Sequence, residues 1–155
     1  MPIEHSPLST DSDIKRIEEF ANLQDSVILE GGKTINSISP WYSFDKGKGL
    51  ITQGVGPCVG LATKNFLAHI PADKLPLSVN TEETGFLILV RDLQEANIQH
   101  IDLFSDSTDR SVKEMNLIKS LLEKAGFQVD VHLNKDQTKA WTIIVKDKQV
   151  HAFVL

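Results

Sequence analysis

The stretch Leu50-Ile51-Thr52-Gln53-Gly54-Val55-Gly56-Pro57-Cys58-Val59 does most to limit what this chain can fold into. An apolar run leads into two glycines and a proline, and a second run, Cys58 to Ala62, follows at once. A third, Phe66 to Ile70, comes after Thr63-Lys64-Asn65. Runs this short, bounded by turn residues, pair as strands. If Lys64-Asn65 forms the loop, Gly60 lies opposite His69 and Cys58 is its diagonal neighbour. If Thr63-Lys64 forms it, Cys58 faces His69 directly. Either reading puts thiol and imidazole on one face of a hairpin, because side chains alternate along a strand. A three-residue loop breaks that parity unless a bulge restores it.

The rest of the chain alternates between the two periods of regular structure. A helix is expected from Ser12-Asp13 through Ile14, Ile17, Phe20 and Ala21, and a short strand over Ser26–Leu29. Residues 33–48 read as a long loop that holds Trp41 and Tyr42. Asn80 and Glu83 resemble a helix start, with Phe86, Leu89, Val90, Leu93 and Ala96 on one face as far as Asn97. A strand over His100–Phe104 follows. A helix over about 110–125 then carries Val112, Met115, Ile118, Leu121 and Leu122 inward and ends at Gly126. Gln128–Leu133 alternates as a strand, and 139–145 and 150–155 read as a closing hairpin around Asp147-Lys148. Residues 1–11 are polar, hold two prolines and are expected to be loose. The architecture expected is an α/β layered sandwich, a mixed or antiparallel sheet with packed helices, in one domain over 1–155.

Cys58 is the only cysteine among 155 residues, and His69 follows it by eleven. A thiol, an imidazole in reach and a glycine-rich approach are the parts of a cysteine nucleophile site. A thiol is mostly protonated at neutral pH and needs an adjacent base. Glycines let backbone N–H groups face a developing oxyanion. The Gly54-Val55-Gly56 stretch is the candidate donor, while Pro57 has no N–H to give. Thr52 lies six residues before Cys58 on the same approach. Trp41 and Tyr42 are candidate walls of a substrate cleft. Each has an ordinary reading too: a buried small cysteine, a satisfied core histidine, a strand threonine and loop-anchoring aromatics.

The run Ile51-Thr52-Gln53-Gly54-Val55-Gly56-Pro57-Cys58-Val59 resembles the signature of the CheD family of chemoreceptor glutamine deamidases. There a threonine lies six positions before the nucleophilic cysteine and a histidine follows in an Ala-His segment. Thr52, Cys58 and Ala68-His69 occupy those places, and the family's Gly-Ser-Cys is Gly56-Pro57-Cys58. The resemblance covers about residues 50–155, strongest over 51–59. The eleven-residue Cys-to-His interval is shorter than the family's and looks more like bacterial toxins with a related deamidase fold. The resemblance implies a CheD-like fold and hydrolysis of a glutamine side-chain amide on a protein substrate, either a chemoreceptor or a host protein. Cys58 is then nucleophile, His69 base and Thr52 orienter. A thiol protease, a transglutaminase-like enzyme or a non-catalytic binding relative would share these residues.

A net charge of −5 argues against wholesale nucleic-acid binding. No run is long and apolar enough to span a membrane, and the first residues lack a secretory pattern. The expectation is a cytoplasmic protein, or one exported without a classical signal peptide. The mechanism requires no metal or organic cofactor. His132 shares a strand face with Asp130, but two ligands do not make a metal site.

Overall fold

The computed structural model describes residues 3–4, 27–28, 42–47, 49–70, 72, 75, 77 and 85–154. The expected helix over 12–21, the cap at Asn80–Glu83 and Trp41 lie outside them. In chain order the strands are β1 (Ile3–Glu4), β2 (Val27–Ile28), β3 (Tyr42–Phe44), β4 (Leu50–Val55), β5 (Val59–Thr63), β6 (Phe66–Ile70), β7 (His100–Asp106), β8 (Gln128–Asn134), β9 (Trp141–Lys146) and β10 (Gln149–Val154). Helix α1 (Phe86–Glu95) lies between β6 and β7, and α2 (Asp109–Lys124) between β7 and β8.

These strands form two five-stranded sheets. One has the order β1-β10-β9-β4-β2 and the other β3-β6-β5-β7-β8. Both are mixed. In the first, β1 runs parallel to β10 and β2 to β4; in the second, β7 runs parallel to β8. Side-chain alternation sorts the second sheet into two cores. Leu61, Phe66, Ala68 and Ile70 pack with Phe86, Leu89 and Leu93 of α1 and with Met115, Ile118 and Leu122 of α2. Ala62, Leu67 and Phe104 point the other way, onto Leu50, Val55, Trp141, Ile143 and Val145 of the first sheet. The molecule is therefore layered as sheet, sheet and helices.

Local chemistry explains the boundaries. Thr108 caps α2 by accepting from the Ser111 N–H (3.3 Å), and Gly126 at φ 100° ends it. The buried face of α2 is turned from the expected one. Leu121 is exposed, while Ser111 and Glu114 are buried. The Glu114 carboxylate is satisfied there by the Leu77 N–H at 3.0 Å. Asp147 and Lys148 both take positive φ, the two-residue turn that matches strand twist. Two expectations fail. Tyr42–Phe44 is a strand paired with β6, not loop, and Ile3–Glu4 is a strand beside β10, although 1–11 read as loose. Neither segment is long enough to show a period, and each is fixed by a partner distant in sequence.

Gly60 lies where side chains of the first sheet approach the second closely. A Cβ there would stand 2.5 Å from Ile143 Cδ1 and 3.5 Å from Phe104 Cβ and Val55 Cγ1. Gly60→Ala is therefore expected to destabilise the fold by about 1–3 kcal/mol, the usual cost of overpacking. Adding Ile143→Val, which removes the clashing methyl, is expected to recover part of that loss in urea unfolding. A double variant no more stable than Gly60→Ala would place the strain elsewhere.

Candidate active site

Strands β5 and β6 pair with Val59 opposite Ile70 and Gly60 opposite His69. The loop is thus Lys64-Asn65, and Cys58 precedes β5 at the diagonal position from His69. The missing side chain of Gly60 makes room for Ile143 of β9 on the face that meets the first sheet. His69 is on that same face. Its Nδ1 lies 2.6 Å from Thr52 Oγ1 on β4, across the gap between the sheets. Thr52 can point there because it shares the inward face of β4 with Leu50.

A bulge sets the approach to Cys58. Thr52 pairs with Ile143 and Val55 with Trp141, so one extra residue sits in β4. Gly54 absorbs it at φ 72°, and without it Val55 would face outward. Gly56 then donates its N–H back to the Gly54 carbonyl (3.0 Å). That N–H is therefore engaged within the turn. The end of β7 pins the turn. Asp106 N–H donates to the Gly56 carbonyl (3.0 Å), and Ser105 Oγ donates to the carbonyls of Cys58 (2.8 Å) and Gly56 (3.2 Å). Ser105 is a positioning residue that the sequence reading missed; it sits at a strand end with no motif around it.

His69 is 5% exposed. Burial disfavours the imidazolium and lowers its pKa from the ordinary 6.5 to about 4. The ring is neutral at physiological pH. Nδ1 is held by Thr52, whereas among the described residues buried Nε2 has no hydrogen-bond partner, the thiol of half-buried Cys58 included. If Nδ1 carries the proton and donates it to Thr52 Oγ1, Nε2 presents a lone pair.

The structure brings Thr52 and His69 together; Cys58 lies in the bend just before β5, two residues from Gly60, the register partner of His69. Tyr42 is separated from them. That side chain packs on the helix-facing side of the second sheet, against Phe66, with its hydroxyl donating to Asp92 Oδ2 of α1 (3.4 Å). Burial and then the Asp92 carboxylate push the Tyr42 phenol pKa up. Tyr42 is therefore an anchor between β3 and α1, on the opposite face of the sheet from His69. A cleft of about 550 Å³ opens near the ends of β7 and β4, lined by Leu133, Asn134, Gln137, Trp141 and Val154. Register ties it there: Asn134 pairs with Asp106, and Trp141 with Val55. Trp141 is fixed by its indole N–H to the Ser105 carbonyl (3.0 Å).

A second polar cluster sits toward the other end of β7. Asp102 pairs with Asp130 in the parallel β7–β8 ladder, with His100 and His132 on the same face. His132 Nε2 lies 3.0 Å from Asp102 Oδ1, and the His132 ring stacks on Phe104. His100 places Nε2 2.7 Å from Asp130 Oδ2 and Nδ1 3.6 Å from Asp102 Oδ2. The hydrogen bond from His100 holds the Asp130 carboxyl below the usual carboxylate range. The sequence signal was a pair of alternations, His100-x-Asp102 and Asp130-x-His132, legible only once β7 and β8 are known to be neighbours. Among the described residues no helix is long and apolar enough to cross a membrane. Compared with protein-family models, curated proteins and solved structures, the chain has no match.

Proposed function

We propose that the chain is a cysteine-dependent amide hydrolase of CheD-like type that deamidates a glutamine side chain on a protein. The observation that carries this reading is the state of His69: one ring nitrogen held by Thr52, the other buried with no partner among the described residues, with Cys58 two residues before Gly60, the register partner of His69. Buried polar atoms are nearly always satisfied, and a native exception calls for a role. A base that waits for a thiol proton supplies one. Catalytic hydrogen bonds are often long before substrate binds and shorten in the complex.

The chemistry balances without a cofactor. Cys58 sulfur attacks the carboxamide carbon as its proton passes to His69 Nε2. The oxyanion is met by backbone N–H groups, each worth about 3–4 kcal/mol in other enzymes. His69 returns the proton to nitrogen, the C–N bond breaks, ammonia leaves and a thioester remains. Water then gives up a proton to His69 and attacks the thioester; the C–S bond breaks, His69 returns the proton to the departing Cys58 sulfur, and the acid formed ionises to the carboxylate. Because His69 is neutral at rest, the thiol is not pre-ionised by it, and proton transfer accompanies attack. Trp141 and Asn134 line the cleft that a substrate loop would enter.

A second reading, a non-catalytic binding protein on the same scaffold, has one observation in its favour: the imidazole is buried and makes no bond to the thiol. The test separates the two. Lysate proteins captured by Cys58→Ala are treated with wild-type or Cys58→Ser protein, and ammonia release and the conversion of glutamine to glutamate are measured. Deamidation by wild type alone supports the amidase. Equal rates overturn it, and captured partners left chemically unchanged favour the binding protein. A cut peptide bond or an incorporated amine would reassign the outcome to protease or transglutaminase chemistry.

A further inference from the structure

We propose that His100, Asp102 and Asp130 form a binding site for a divalent transition-metal ion of the zinc or manganese class, clipping β8 onto β7. Each side chain offers one ligand atom, and these atoms all lie within 4.8 Å of one another. A tetrahedral ion with bonds of about 2.1 Å holds its ligand atoms about 3.4 Å apart. The His100 Nδ1 to Asp102 Oδ2 separation of 3.6 Å is already close to that. Asp130 and His100 are on exposed side chains and can adjust, whereas Asp102 is fixed.

The need for a cation comes from the two carboxylates. Asp102 and Asp130 are register partners on adjacent strands, a like-charge pair that weakens a sheet when left alone. Asp102 is also 1% exposed. Buried charges are paired or coordinate metals. The groups around this pair are His100 and His132 on the same face, Lys64 in the adjoining cleft and Lys119 near Asp130. A metal ion between the two carboxylates supplies the compensating charge.

The surroundings have the form of a metal site. His132 Nε2 to Asp102 Oδ1 is the outer contact that orients a ligating carboxylate and leaves Oδ2 for the ion. Phe104 holds that ring by stacking. The remaining coordination positions face a cleft of about 590 Å³ whose polar lining includes Thr63, Lys64, Asn97 and Gln99. One imidazole and two carboxylates suit zinc or manganese better than a soft thiolate-seeking ion. The site lies apart from Cys58: Asp102 pairs with Ala62, four residues beyond it along β5.

The full chain, stripped with a chelator, is titrated with zinc and separately with manganese at neutral pH by calorimetry. Cobalt absorption reports nitrogen ligation. One ion per chain is expected, with proton release and a higher Tm. His100→Gln and Asp130→Asn change exposed side chains and keep the fold, as metal-free Tm verifies; each is expected to lose more than about 100-fold in affinity. His132→Gln is expected to lose about 10–100-fold. Cys58→Ser is expected to bind as wild type does, so the result stands apart from the amidase reading. No binding by wild type, or equal binding by His100→Gln and Asp130→Asn, overturns the site and leaves the cluster compensated by histidine protons.

Discussion

Cys58→Ala and His69→Gln are each expected to lower amide hydrolysis by on the order of 10⁴-fold, and the double variant is expected to lose no more than the worse single. Groups that act as one device are not additive, because removing either partner removes the step. The device proposed is the Cys58 thiol with the His69 imidazole, and the pairing of Gly60 with His69 sets Cys58 two residues from the ring's register partner. His69 is held neutral by burial, so it contributes when the proton moves and not by keeping a resting thiolate. Thr52→Val is expected to cost less than either, since Thr52 acts only by fixing the ring through Nδ1. Single-turnover rates of glutamate formation on a captured substrate read all four. Losses that multiply in the double variant would mean two independent contributions and no dyad.

The β5–β6 hairpin was legible in the sequence because its information is local. Short apolar runs and a two-residue loop lead to the pairing of Gly60 with His69, one of the two registers expected, while Cys58 stands in the bend before β5. The Thr52–His69 bond was expected only from a family resemblance, since strand residues seventeen apart give no local cue. Other features depended on long-range pairing. Tyr42 read as a loop residue near the site, yet its strand pairs with β6 and turns the ring toward α1. The Asp102–Asp130 pair became a cluster only because β8 returns parallel beside β7, with α2 between them. Ser105 carries no motif, and its two bonds to the Gly56–Cys58 turn arise from where β7 ends. What a sequence gives is the alternation within each strand; which strands meet is decided by the shared core.

Acidification from pH 7 to pH 4 is expected to cost the fold about 3 kcal/mol through His69 alone. The sign follows from proton counts. The unfolded imidazole binds its proton near the ordinary 6.5, and the folded one resists until about 4. Between those values the unfolded chain holds more protons, so stability falls as pH falls. Above 6.5 the contribution is complete, and below about 4 both states are protonated and no more is lost. His69→Gln removes the titration and can keep a bond to Thr52. Urea unfolding of wild type and His69→Gln at both pH values isolates this share from that of the carboxylates. Wild type is expected to lose about 3 kcal/mol more than the variant across the interval. Equal losses would mean that water reaches the ring. In that case Nε2 is solvated rather than orphaned, and the physical reason for assigning it a catalytic proton disappears with it.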